Sequence, residues 1–407
     1  MIPVEDARAR VLAACSPLPP RAVALADALG RVLAAPVVST VDVPPFPNTA
    51  MDGFAVRAAD TAAAPATLQV VGTLAAGADP AGLTVGPGQA VRIMTGAPLP
   101  AGADAIVMVE RTSTQGDEVT VEVAAAAGDH IRSAGDDLRN GQTVFEAGAV
   151  VTPGHIGVLA SLGLTEVTVF PAARVGVLST GDELVEGAGP LRPGQIRDSN
   201  RPTLLAMVLE AGCEAVDLGT APDDEGAIRA ALEDGLATCD AIVTSGGVSV
   251  GDFDYVKVVL DKLGRMDWWQ VAIRPAKPFA FGVAGEQETP VFGLPGNPVS
   301  SMVSFEVFVR PGLRRMTGHP DERLLRPTVE AVADEALTRR RDGKLHLDRV
   351  VATHGADGRY HVRRSGGQAS HLLRAMALAN ALALVPDGDG VPAGGTVTTM
   401  LLGTVEG

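Results

Sequence analysis

Between Arg174 and Val309 the chain alternates short β-branched runs with amphipathic stretches, and this rhythm constrains the fold more than any other feature. Strands are expected at Arg174–Ser179, Glu214–Leu218, Ala241–Ser245 and Val291–Leu294. Helices are expected at Arg201–Glu210, Glu225–Leu236, Asp254–Leu263 and Val299–Val309. Ser199 or Asn200 suits the first helix cap, Gly212 its stop, and Gly264 the end of the third helix. Gln270–Ile273 and Phe279–Val283 read as a hairpin-type pair. Short links between alternating strands and helices mean a doubly wound, mostly parallel α/β/α sheet. In such sheets ligands bind beyond the carboxyl ends of the strands, so the loops there are the places to look for chemistry.

The flanks have a different character. Val4–Ala14 and Val23–Leu33 look helical, and Pro36–Pro47 extended. Short β-like runs follow at Leu68–Val71, Ala90–Met94, Ala105–Val109 and Val119–Val123, separated by Gly, Pro and Asp turns. His155–Leu162 reads as a helix and Glu166–Phe170 as a strand. The tail carries β runs at Thr328–Val332, Asp348–Thr353, Tyr360–Arg364, Ala381–Val385 and Thr396–Leu402, a small barrel or sandwich. Glycine (47) and proline (29) together reach about a fifth of the chain against a usual ~12%, which favours shaped loops over a helical bundle.

Charge excludes several partners. The net charge is −15, and residues 321–407 are balanced at eleven basic and eleven acidic, so the excess belongs to residues 1–320. A nucleic-acid or anionic-membrane surface would need a basic face instead, and the few aromatics make base stacking improbable. Cys15, Cys213 and Cys239 are too few and scattered for a disulfide framework or a CxxC metal site. With no signal-like N-terminus and no apolar run of about 18–20 residues, a cytoplasmic protein is expected.

The loops after the strands hold the candidate chemistry. Ser245-Gly246-Gly247-Val248-Ser249-Val250-Gly251 would let main-chain N–H groups approach a phosphate, although it is neither a Walker loop nor a dinucleotide turn. Pro295-Gly296-Asn297-Pro298 enters a helix, with Asn297 as cap and Pro298 in the first turn. Arg274 and Lys277, stiffened by prolines, could hold an oxyanion. Asp182 and Glu183, Asp223 and Asp224, and Asp252 and Asp254 place carboxylates after three successive strands. Beside phosphate loops such carboxylates suggest Mg²⁺, which takes one or two of them plus substrate oxygens. The segments Pro44–Ala55 and Val91–Pro100 are stiff, and either fix domain geometry or reach into a partner's cleft.

Taken in order, Asn48–Ala55, Arg92–Pro100, Thr180–Leu184, Ser245–Gly251, Lys277–Gly282 and Gly293–Ser300 give the chain a resemblance to the molybdopterin molybdenumtransferase family. This family comprises the bacterial MoeA proteins and the matching domain of gephyrin, and the likeness spans roughly residues 1–405. It implies an elongated linker domain from residues 1–47 and 129–172, a β-rich inserted domain at 48–128, an α/β domain at 173–320 and a C-terminal β-barrel at 321–407. It implies insertion of molybdate into adenylylated molybdopterin with Mg²⁺-dependent release of AMP, in a homodimer whose cleft is shared between chains. Carried over by motif, Asp52, Thr95, Asp137, Glu183, Asp254 and Lys277 are catalytic. Ser245, Gly246, Gly247, Ser249, Gly251, Pro295, Gly296, Asn297 and Pro298 bind substrate. Arg274, Lys277 and Ser300 form the molybdate site, and Asp223 or Asp224 with Asp254 holds Mg²⁺. Arg274 stands where some members carry Lys, and Ala276 replaces a frequent Gly. The adenylyltransferase of the same pathway and molybdoenzyme apoproteins are expected partners. Two other readings are the preceding step, adenylylation of molybdopterin, and a gephyrin-like scaffold without catalysis.

Overall fold

The computed structural model describes residues 1–247, 255–403 and 405. Its central sheet is built from β1 (Arg174–Thr180), β2 (Glu214–Ala221), β3 (Ala241–Ser245), β4 (Gly264–Gln270), β5 (Pro278–Ala284) and β6 (Thr289–Leu294), in the order β2-β1-β3-β6-β5-β4. β2, β1, β3 and β6 run parallel, and β5 and β4 add an antiparallel edge. The apolar runs Val175–Leu178 and Ala241–Val243 are continuous because both faces of these strands are covered. One face packs against α1 (Asn200–Glu210) through Leu204 and Val208, and also against Val4, Ala7 and Val11 of the N-terminal helix Val4–Ala14. The other face, with Leu178 and Ile242, receives Ile228 and Leu232 of α2 (Glu225–Thr238) and Val256, Val259 and Leu260 of α3 (Tyr255–Leu263). The doubly wound expectation holds.

Three local expectations are corrected. Val23–Leu33 is not a helix: Arg21–Ala24 pairs with Glu166–Val169, then a short 3₁₀ turn and the positive φ of Gly30 lead to strand Val32–Leu33. Tertiary pairing has overridden a helix-favouring composition there. The partner of β5 is β4, not Gln270–Ile273. Gly264 ends α3 and at once opens β4, where a Cβ would lie 2.1 Å from the Val283 carbonyl oxygen. Ile273–Arg274 instead pairs in parallel with Leu345–His346 of the C-terminal sheet. The last helix does not stop at Val309. Pro298–Ser304 continues through a π-helical turn, Phe305–Val309, into Arg310–Met316. The wider turn lies where Pro311 supplies no N–H and would crowd a regular α-helix.

The flanking sheets explain their own apolar patterns. In the N-terminal six-stranded sheet, Phe54, Val56, Ala105 and Val107 face one core while Ala55 and Ile106 face another, so Gly53–Val56 and Ala105–Met108 are apolar throughout. The C-terminal strands close on themselves: Leu345–His354 pairs with both Tyr360–Arg364 and Ala381–Val385, making a small barrel. Among the described residues no helix is long and apolar enough to cross a membrane.

Candidate active site

A cleft of about 570 Å³ opens at the carboxyl ends of β1, β3 and β6, where the winding of the sheet changes direction. Its lining includes Thr180, Glu183, Asp223, Ser245, Gly246, Gly247 and Pro295–Pro298, so the phosphate-loop residues converge as the motifs predict. Gly246 is required there. Its φ is +98°, and a Cβ would lie 2.8 Å from the Thr180 carbonyl oxygen. Its N–H is not free for a ligand, however, because it donates to the Leu294 carbonyl at 3.1 Å. What Gly246 leaves open to a ligand is close approach of the backbone. Thr180 Oγ1, buried with no partner among the described residues, is a polar atom in the cleft wall. Asn297 occupies the N-cap of the helix at Pro298–Ser304, without a side-chain capping bond.

The carboxylates divide by function. Asp224 caps α2, accepting the Ala227 N–H at 2.8 Å. Asp223 lines the cleft, and its N–H donates to Asp182 Oδ1 at 3.0 Å. Burial, then the neighbouring charges of Asp182 and Glu183, push the Asp223 carboxyl above its ordinary range. Such a group gains from a cation. Among the described residues no three His, Cys, Asp or Glu side chains converge on a metal-sized site. Asp223 with substrate oxygens nevertheless fits Mg²⁺, which needs few protein ligands. Ser249, Gly251 and Asp254 lie outside the described residues.

A second recess, about 430 Å³, lies between the α/β domain and the barrel, lined by Arg274, Arg339, Arg340, His346, Arg349 and Arg364 among others. Arg339 is committed to Asp342 and Asp387, and Arg364 to Asp348. Arg349 is different. It is 1% exposed, and its Nη1 donates to the Leu347 carbonyl, but Nε and Nη2 are buried without partners among the described residues. Burial lowers its pKa to about 10, with Asp348 opposing the shift and Arg274 and Arg364 adding to it, so it stays charged near neutrality. Two orphaned charged donors in a basic recess are an oxyanion site in chemical terms. The sequence motifs missed Arg349. The available signal was an Asp348-Arg349 pair in the middle of a largely buried strand, Leu345–His354.

The remaining expected residues sit elsewhere. Arg274 lines the recess, Lys277 is exposed on the loop between recess and cleft, and Ser300 is buried in the first turn of its helix. The Val299 N–H donates to the Ser370 carbonyl, tying that helix to the C-terminal part. Ala276, between Arg274 and Lys277, is buried with φ +79°, the conformation that explains why Gly is frequent there. Asp52 and Thr95 form one unit: the Thr95 N–H and Oγ1 both donate to Asp52 Oδ1 at 2.7 Å. The main-chain bond, then the hydroxyl, hold the Asp52 carboxyl below its usual range. Asp137 is exposed, with its N–H on the Val43 carbonyl. None of these three lines the cleft of its own chain.

A doubly wound sheet with a polar cleft at its carboxyl edge, flanked by a β-rich N-terminal part and a C-terminal barrel, is the class this fold and site define. Residues 2–163 match the MoeA N-terminal region (domain I and II), 176–315 the probable molybdopterin binding domain, and 331–402 the MoeA C-terminal region (domain IV). A molybdopterin molybdenumtransferase 2 of Mycobacterium tuberculosis is 44% identical over 394 residues, 93% of each chain. A molybdopterin molybdenumtransferase of Haemophilus influenzae is 39% identical over 403 residues, 98% of each chain. The crystal structure of a molybdopterin biosynthesis MoeA protein from Pyrococcus horikoshii superposes with a TM-score of 0.81 at 28% identity, covering 98% of this chain and all of that one. The chain belongs to the molybdopterin molybdenumtransferase (MoeA) family.

Proposed function

We propose that this chain inserts molybdate into the dithiolene of adenylylated molybdopterin, releasing AMP and yielding molybdenum cofactor. The observation that carries the reading is the adjacency of two unlike sites. A glycine-shaped, carboxylate-lined cleft suits a nucleotide phosphate with a cation, and an arginine recess beside it suits an oxyanion. The Arg274–Pro278 segment reaches both, since Arg274 lines the recess and Pro278 the cleft.

In this reading the Ser245 and Pro295–Pro298 loops seat the adenylate, and Asp223 is the cleft carboxylate toward Mg²⁺. Bound Mg²⁺ would supply charge neutralisation at the phosphates. Arg349 and Arg274 orient molybdate toward the dithiolene, so that the protein's contribution is chiefly positioning. Asp52, Thr95 and Asp137 serve the cleft of a second copy in a homodimer, which would account for their absence from their own chain's cleft. Residues 1–47 with 129–172 are the linker that holds them out, although helix Val4–Ala14 shares the α/β core. The enzyme works in the cytoplasm, receiving its substrate from the adenylyltransferase step and passing its product to molybdoenzyme apoproteins.

The test is AMP release from adenylylated molybdopterin with and without molybdate and Mg²⁺. Release that needs both ions, and falls in Asp223→Asn, is the expected result. ATP consumption with molybdopterin and no AMP release would favour adenylylation instead. Co-assembling Asp52→Asn with Asp223→Asn chains should restore activity to mixed dimers, because one cleft then has both groups intact.

A further inference from the structure

Asn200 links parts of the cleft that no motif connects. It is the first residue of α1, and its place is set from below by Asp198, whose side chain is 2% exposed. Asp198 Oδ1 accepts the N–H groups of Asn200 and Arg201, both at 3.1 Å, and the Ser179 hydroxyl at 3.3 Å. Its Oδ2 accepts from Thr220 Oγ1 at 3.2 Å and from Arg201 Nε at 3.4 Å. The helix start is therefore pinned to β1 and β2. From it the Asn200 amide nitrogen donates to Ser245 Oγ at 2.8 Å and to the Gly296 carbonyl at 2.7 Å. Ser245 ends β3 and Gly296 follows β6, neighbouring parallel strands in register at Ser245 and Leu294.

Both amide protons are used, which has a consequence for Ser245. A hydroxyl has one proton and can accept as well as donate. Because Ser245 Oγ accepts from Asn200, its own proton is left to donate elsewhere. Ser245 is 2% exposed and lines the cleft. We propose that Asn200 is a positioning residue: it holds the Ser245 and Gly296 loops at one spacing and keeps the Ser245 hydroxyl as a donor to an anionic oxygen of the bound substrate. The inference rests on reading the cleft as the adenylate site. Asn200 itself need not touch substrate.

The experiment is a double-mutant cycle on the full-length protein with Asn200→Leu and Ser245→Ala, read as equilibrium affinity for adenylylated molybdopterin. Leu matches Asn in size and removes both donors without adding charge. Each single variant is expected to weaken binding about tenfold, and the double variant no more than the worse single one, because the two act through one contact. Losses that multiply in the double variant, or an Asn200→Leu protein that binds like the wild type, would overturn the inference. Should Asn200→Leu not fold, Asn200→Ser replaces it, since its hydroxyl has one proton and cannot donate to both acceptors. Failure of the wild type to bind would overturn the reading of the cleft and this inference together. Wild-type binding with independent losses would overturn the inference alone.

Discussion

The cleft and the arginine recess are built on opposite logic. The cleft places Asp182, Glu183 and Asp223 near one another, and the last carries a raised pKa from burial and its neighbours. Its lining carboxylates, Glu183, Asp198 and Asp223, outnumber its one arginine, Arg197. The recess buries Arg349 with two donors unpaired among the described residues, and its arginines outnumber its one carboxylate, Asp348. In the proposed reading each sacrifices stability for a charged ligand: a cation with phosphate oxygens in the cleft, an oxyanion in the recess. In the proposed reading the comparison teaches that two anionic substrates can be held by opposite means, one through a cation in a carboxylate-lined cleft and the other directly by arginine.

Substitutions can break this contrast. The largest effect is expected at Asp223→Asn, which should lower turnover about a hundredfold while leaving molybdate affinity intact. The same substitution should raise stability at neutral pH. The folded-state pKa of Asp223 lies above its unfolded value, so the ionised group opposes folding above that window. The penalty fades as pH falls below the unfolded value of about 4. Urea unfolding of both proteins at pH 7 and at about pH 3.5 checks the sign: the gain should be present in the first and absent in the second. A stability loss at pH 7 would mean that the cleft carboxylates are not in conflict.

Next in size is Arg349→Met. Apparent molybdate affinity should fall about tenfold to a hundredfold, with thermal stability unchanged or higher, since a buried cation with orphaned donors is removed. Loss of stability together with intact affinity would make Arg349 a structural residue. Smallest is Ala276→Gly on the loop between the sites. The left-handed conformation costs Ala about 1–2 kcal/mol, and the added freedom of Gly in the unfolded chain returns part of it. A net gain of about 0.5–1 kcal/mol in unfolding free energy is expected, read as a higher urea midpoint.

The two sites also differed in how far they could be read from the sequence. The cleft was legible because its residues sit in loops directly after strands, where Gly, Pro, Ser and Asp cluster and periodicity marks the strand ends. Even there, sequence could not see that Gly246's N–H is taken by Leu294, or that Asp224 turns back to cap its own helix. The recess was nearly illegible. Arg274 had been noticed, but its strand partner Leu345–His346 and the neighbour Arg349 lie some seventy residues on, brought together by a strand that leaves one domain for the sheet of another. Pairing across domains carries no local signal. The same limit explains Val23–Leu33, whose strand pairing is set by a segment more than a hundred residues away.

The most direct measurement is calorimetric titration of molybdate and, separately, of adenylylated molybdopterin with Mg²⁺ into the wild type, Asp223→Asn and Arg349→Met. Two sites of opposite charge predict a crossed result. Arg349→Met loses molybdate and keeps the Mg²⁺-dependent binding of the adenylate, while Asp223→Asn does the reverse. If both variants lose the same ligand, the cleft and the recess are one site and the account is wrong.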